Sequence, residues 1–193
     1  MRKLKLAILI SGRGSNMTAL IEACKGDDFP AEIVCVISNE PDAAGIDRAR
    51  DEGLNTEIVH HRDFDNRDAF EDALVETLQG YEPDLVCLAG FMRLLKGSMF
   101  DAYPDRILNI HPSLLPAYKG LHVHERVVEA GESKSGCTVH IVVPEMDAGP
   151  ILVQKSVPVL PDDTADQLAA RVLEQEHVAY PEAIKIMADR LLK

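Results

Sequence analysis

A chain of 193 residues is long enough for one substantial α/β core and short for two, so a single domain spanning 1–193 is expected. Hydrophobic residues make up 46% of it and charged residues 27%, a globular balance that excludes disorder and low-complexity scaffolding. The formal charge of −12 repels a polyanion such as nucleic acid, but it leaves room for a small anion held by backbone N–H groups at one helix start.

Lys5–Ile10 is a compact apolar run, followed by a Gly/Ser loop and then Met17, Leu20, Ile21 and Cys24 at helical spacing. This reads as strand, turn and helix. Glu32–Ile37 is a second strand, Ala43–Glu52 a helix ended by Gly53, and Asn55–His60 a third strand. Asp68–Gln79 aligns Ala69, Phe70, Ala73, Leu74 and Leu78 on one stripe, ahead of the continuously apolar strand Leu85–Ala89. A short helical connection leads to the strand Arg106–His111, which ends in the rigid segment Pro112–Pro116. His122–Ala130 reads as a helix, and Cys137–Val143 and Ile151–Val159 as a later strand pair flanking the parallel part. Thr164–Val178 carries a helical stripe, and Pro181 is expected to break or kink the run before a last helix reaching Leu192. The whole predicts an α/β fold: an open, mostly parallel, Rossmann-like sheet with helices on both faces and ligands at the carboxyl ends of strands.

The apolar runs are far shorter than the roughly 20 residues needed to span a bilayer, so no membrane association is expected. The basic start Met1–Lys5 gives way to Ser11-Gly12-Arg13-Gly14 before a signal sequence would be complete, which predicts a cytoplasmic protein. Cys24, Cys35, Cys87 and Cys137 stand singly in apolar surroundings and read as buried, reduced thiols.

Three segments carry candidate chemistry. In Ser11-Gly12-Arg13-Gly14-Ser15-Asn16, glycines allow close backbone approach while Ser15, Asn16 and the following N–H groups can hold a phosphate at the positive end of a helix. The spacing is neither a dinucleotide fingerprint nor a P-loop, and the plainer reading is a tight turn with an Asn N-cap. In Asn109-Ile110-His111-Pro112-Ser113, residues two apart on a strand share a face about 6–7 Å apart along the chain, so Asn109 and His111 project together. Asp147, in the turn Asp147-Ala148-Gly149-Pro150, would stabilise a cationic His111 if it reached it, while Asn109 would donate to a developing oxyanion. Such a group suits acyl transfer; Ser113 is read as structural or substrate-contacting. His60 and His61, as adjacent strand residues, are expected to face opposite ways without a carboxylate to complete a metal site, and His122 and His124 do not share a helical face. No metal site is expected. His140 and His177 stay open between structural and functional roles.

Five ordered motifs, Ser11–Asn16, Leu88-Ala89-Gly90-Phe91-Met92-Arg93, Asn109–Pro116, Gly120-Leu121-His122 and Met146–Pro150, resemble the phosphoribosylglycinamide formyltransferases of the folate-dependent formyltransferase family across essentially the whole chain. The resemblance implies transfer of formyl from 10-formyltetrahydrofolate to the amine of 5'-phosphoribosylglycinamide in purine biosynthesis, with both as small-molecule partners and no metal required. It further implies that Gly14, Ser15 and Asn16 hold the substrate phosphate and Glu176 the ribose or glycinamide end. Arg67, the segment Met92-Arg93-Leu94-Leu95 and the Val142–Asp147 loop, with Asn109, would bind the folate. Asn109, His111 and Asp147 would be catalytic. Pro144 departs from the polar or acidic residue common there and removes an N–H from the folate loop. Two related activities remain as alternatives, 10-formyltetrahydrofolate hydrolase and methionyl-tRNA formyltransferase, each expected to need a further domain. A third is a non-catalytic nucleotide-binding module with Glu40 as ribose acceptor. Oligomeric state is not readable from the sequence.

Overall fold

The computed structural model describes residues 2–193. Seven strands form one sheet: β1 (Leu4–Ile10), β2 (Ala31–Ser38), β3 (Thr56–Ile58), β4 (Leu85–Leu88), β5 (Ile107–His111), β6 (Lys134–Ile141) and β7 (Ile151–Pro158). Their spatial order is β3-β2-β1-β4-β5-β6-β7. The pairs from β3 through β5 are parallel, and β5–β6 and β6–β7 are antiparallel. The late strand pair flanks the parallel part as a continuation of the same sheet.

Among the described residues, six α-helices cover the two faces: α1 (Ser15–Cys24), α2 (Ala44–Asp51), α3 (Arg67–Gln79), α4 (Gly97–Ala102), α5 (Val123–Glu129) and α6 (Ala165–Leu191). β1, with residues alternating between two faces, feeds two separate cores. Leu6, Ile8 and Ile10 join Met17, Ile46, Val127 and Tyr180 on one side, and Ala7 and Leu9 join Phe70, Leu74, Leu78 and Met99 on the other. Both faces of the central strands are buried, which is why they read as continuous apolar runs. The thiols are free, and burial pushes Cys24 up to about 11 and Cys35 and Cys137 up to about 12, which leaves them inert at neutral pH.

Three expectations are corrected. The third strand keeps only Thr56–Ile58, because the chain turns into a 3₁₀ segment at His61–Asp63. The sixth strand begins three residues before Cys137, at Lys134, where it pairs with Pro158. Pro181 breaks nothing, since α6 is continuous over 27 residues. Its missing N–H frees one carbonyl, but buried neighbours on both sides fix the helix: the Tyr180 hydroxyl donates to Leu88 O at 2.9 Å, and Ala183 and Ile184 are fully buried. A capping box at Thr164 and Gln167 sets its start.

β1 has β2 on one side and β4 on the other, so the strand order reverses between β1 and β4. In open sheets of this kind a crevice forms at that reversal, beyond the carboxyl ends of the strands.

Candidate active site

β5 ends in the polar pair anticipated from its alternation, with His111 buried and Asn109 half-buried. Antiparallel pairing with β6 sets Asn109 opposite His140 and His111 opposite Thr138. Asn109 Nδ2 is 3.3 Å from His140 Nε2, and His140 Nδ1 is 3.1 Å from Ile141 O. A ring that donates from Nδ1 to the carbonyl and accepts at Nε2 from the amide is neutral, and burial accordingly lowers the His140 pKa. One Asn109 N–H is used in this way; the second makes no hydrogen bond among the described residues.

Asp147 reaches His111. Its Oδ2 lies 3.5 Å from His111 Nδ1 and accepts from the Gly120 N–H at 2.9 Å, while Oδ1 is 3.8 Å from His140 Nε2. The other nitrogen of His111, Nε2, is 2.9 Å from Tyr118 O. Asp147 has φ +50°, a left-handed backbone that favours glycine, so the surrounding contacts hold it in place. The side chains of His111 and Asp147 are 8% and 10% exposed, dry enough for the carboxylate to act on the ring at close range.

The rigid segment after His111 is fastened from behind. Thr138 Oγ1 donates to Ser113 O at 2.7 Å and accepts from the Leu115 N–H at 3.1 Å, and Gln154 donates to Leu115 O at 2.8 Å. Ser113 Oγ donates to Ala117 O at 2.6 Å, which makes it structural.

At the crevice between β1 and β4, residues 11–16 with Ala89, Gly90 and Met92 line a cavity of about 250 Å³. The helix N-cap is Gly14 at φ +68°, not Asn16, which lies inside the helix. The first helical bond runs from Thr18 N–H to Gly14 O, leaving the preceding N–H groups for an anion. Asn16 is buried and donates to Glu176 Oε2 at 2.6 Å, while its Oδ1 has no partner. Burial raises the Glu176 pKa; the Asn16 bond and the nearby charge of His111 oppose it.

Met92, Leu94 and Met146 are exposed apolar side chains on the segments flanking this region. The 92–96 segment is tied down at several points. Met92 N–H donates to Ser11 Oγ at 2.7 Å, Arg67 donates to Leu94 O, and Lys96 N–H donates to the buried Glu71. Residues 4–184 match the family model described as formyl transferase.

The chain belongs to the formyl transferase family.

Among its relatives are the phosphoribosylglycinamide formyltransferase of Escherichia coli K12, 44% identical over 98% of this chain and 90% of that protein. The trifunctional purine biosynthetic protein adenosine-3 of Bos taurus is 45% identical over 97% of this chain, which spans only 18% of that protein's length. The crystal structure of phosphoribosylglycinamide formyltransferase from Brucella melitensis superposes with a TM-score of 0.93 at 50% identity, covering 97% of this chain and 96% of that one.

In this formyl transferase the structure brings Asn109, His111 and Asp147 into one group connected through His140, and Gly14, Ser15 and Asn16 into one cleft, with Glu176 hydrogen-bonded to Asn16. Arg67 joins Leu94, whereas the Leu95 side chain is a core residue packed on the α3–α4 side, so it offers a ligand only its backbone. Arg93 and Pro144 are exposed. Sequence reasoning left His140 undecided and missed the backbone roles of Tyr118 and Gly120; the signal for His140 is its place opposite Asn109 in an antiparallel register. Among the described residues, His177 is not joined to the group by any hydrogen bond, and burial lowers its pKa. His60 and His61 are not adjacent strand residues, since the turn at His61 draws them together with Glu40.

Proposed function

We propose that this formyl transferase moves the formyl group of 10-formyltetrahydrofolate to the amine of 5'-phosphoribosylglycinamide, a step of de novo purine biosynthesis. The observation that carries the reading is the connected group of Asn109, His111 and Asp147 beside a helix-start cleft suited to a phosphate. The relatives named for this activity match nearly the whole chain.

Gly14, Ser15 and Asn16 receive the phosphate through backbone N–H groups, and Glu176 accepts from the ribose or glycinamide end. The exposed apolar Met92 and Leu94 wall the pterin ring, with Arg67, Arg93 and the backbone of Leu95 at its edge. The substrate amine attacks the formyl carbon, and the carbonyl oxygen gains negative charge. Asn109 donates its second N–H to that oxyanion, and His111, backed by the Asp147 carboxylate, supplies positive charge beside it. Collapse expels the folate nitrogen, which takes up the proton that the amine surrenders, passed by way of the Asp147 carboxylate. No acyl-enzyme forms. The same reading makes this a cytoplasmic enzyme acting on small molecules, in keeping with four free thiols.

Substituting His111→Ala tests these roles. Removing a group that stabilises an oxyanion costs on the order of 10²–10³ in turnover. A loss of that size with substrate affinity nearly unchanged is expected; unaltered turnover removes His111 from the chemistry.

A further inference from the structure

Glu40 follows β2, and His60 and His61 follow β3. Parallel pairing that matches Ser38 with Ile58 brings the segments beyond those two strands together. One carboxylate oxygen and one nitrogen from each imidazole lie within 4.8 Å of one another. His61 Nδ1 is 3.6 Å from Glu40 Oε1, and His60 Nδ1 is 3.3 Å from Asp63 Oδ1. Side-chain exposures of 35% for Glu40, 24% for His60 and 13% for His61 leave the group sheltered yet reachable from solvent.

We propose that Glu40, His60 and His61 form a binding site for a divalent transition-metal ion of the zinc type, separate from the formyl-transfer residues. Tetrahedral zinc with bonds of about 2.0–2.2 Å needs its ligand atoms roughly 3.5 Å apart, so side-chain rotations of about 1 Å close the set. Two imidazoles and one carboxylate favour zinc, cobalt, nickel or copper over magnesium and calcium, which prefer all-oxygen shells. Asp63 Oδ1 lies 3.3 Å from His60 Nδ1, where a small turn of the carboxylate makes it the outer acceptor that fixes a ligating histidine's tautomer and leaves Nε2 with its lone pair. The Phe70 ring meets His61 edge-on at 6.3 Å between centroids and limits its rotation. The formal charge of −12 concentrates cations around the chain.

The site is linked to the substrate cleft. His61 Nδ1 is 3.1 Å from Asn39 O and 3.2 Å from Asn39 Nδ2, which leaves its Nε2 for a metal; Asn39 Oδ1 accepts from the Ser11 hydroxyl, and Ser11 Oγ accepts from the Met92 N–H. Ser11 and Met92 both line the cavity at the helix start.

The test is calorimetric titration of the chelator-treated, untagged full chain with Zn²⁺, repeated with Co²⁺ while following visible absorption. One equivalent is expected to bind with micromolar or tighter affinity, with cobalt bands of a four- or five-coordinate nitrogen–oxygen site. His60→Ala and Glu40→Gln each weaken Zn²⁺ binding at least tenfold, and Asp63→Asn, which leaves all three ligands, weakens it by about 10–100-fold. His122→Ala leaves it unchanged. Unaltered circular dichroism and formyl transfer in His60→Ala show that the variant is folded. Absence of saturable binding up to millimolar Zn²⁺, or equal affinity in the wild type, His60→Ala and Glu40→Gln, overturns the proposal.

Discussion

Asn109 and His140 face each other across the β5–β6 pair, with Asn109 Nδ2 3.3 Å from His140 Nε2. The contact orients the amide: His140 accepts one N–H, and the other is left at the site. His140→Leu removes the acceptor, and turnover is expected to fall by up to about 100-fold, the scale of a misaligned reacting group. His140→Gln, which can accept through its own oxygen, retains more activity. Single-turnover rates of the two variants check this, and equal losses in both contradict it.

Burial raises the Glu176 pKa above the ordinary carboxylate value of 4.5, with Asn16 and His111 opposing. Between that value and the raised one, the folded chain binds more protons than the unfolded chain, so this residue's contribution to stability declines as pH rises through the window. Glu176→Gln is expected to flatten that decline while raising KM for the phosphoribosyl substrate. Urea denaturation at a series of pH values, set beside steady-state kinetics, measures both; an unchanged pH slope would show that Glu176 ionises freely.

Gly149 lies against the backbone of β6. A Cβ built there meets Ile141 O at 1.7 Å, a contact that only backbone movement relieves. Gly149→Ala is expected to destabilise the fold by about 1–3 kcal/mol, the usual range for overpacking, and to displace the turn that carries Asp147. Thermal denaturation and turnover should fall together, and a variant as stable as the wild type would show that the turn can move freely.

Thr138 holds the segment behind His111 with its hydroxyl. Thr138→Val keeps the shape and leaves the buried Leu115 N–H without its acceptor, which costs about 1–3 kcal/mol. Hydrogen exchange at the Leu115 amide should accelerate with the loss of stability, and an amide as protected as in the wild type would show that another acceptor takes over.

The legible parts of this fold were those set by local pattern. Apolar runs marked β1 and β4, the stripe of Phe70, Leu74 and Leu78 marked α3, and the two-residue period placed Asn109 and His111 on one face. What escaped depends on contacts distant in sequence. Pro181 reads as a breaker until Tyr180 is seen anchored to two strands, β4 and β5, and His140 becomes part of the site only through the register of β6. The reach from Asp147 to His111 could not be read from spacing, because it depends on a left-handed turn and the Gly120 N–H. The opposite facing expected of His60 and His61 fails because β3 ends at Ile58, two residues before the pattern of its side chains suggests, and the chain then turns at His61.

The most direct measurement is release of tetrahydrofolate from 10-formyltetrahydrofolate by the purified chain, with and without 5'-phosphoribosylglycinamide. The account predicts release only when the amine is present, at a rate that Asn109→Ala lowers on the order of 10²–10³-fold. Equal release without the amine would make the protein a hydrolase, and no release in either case would leave a ligand-binding protein without transfer chemistry.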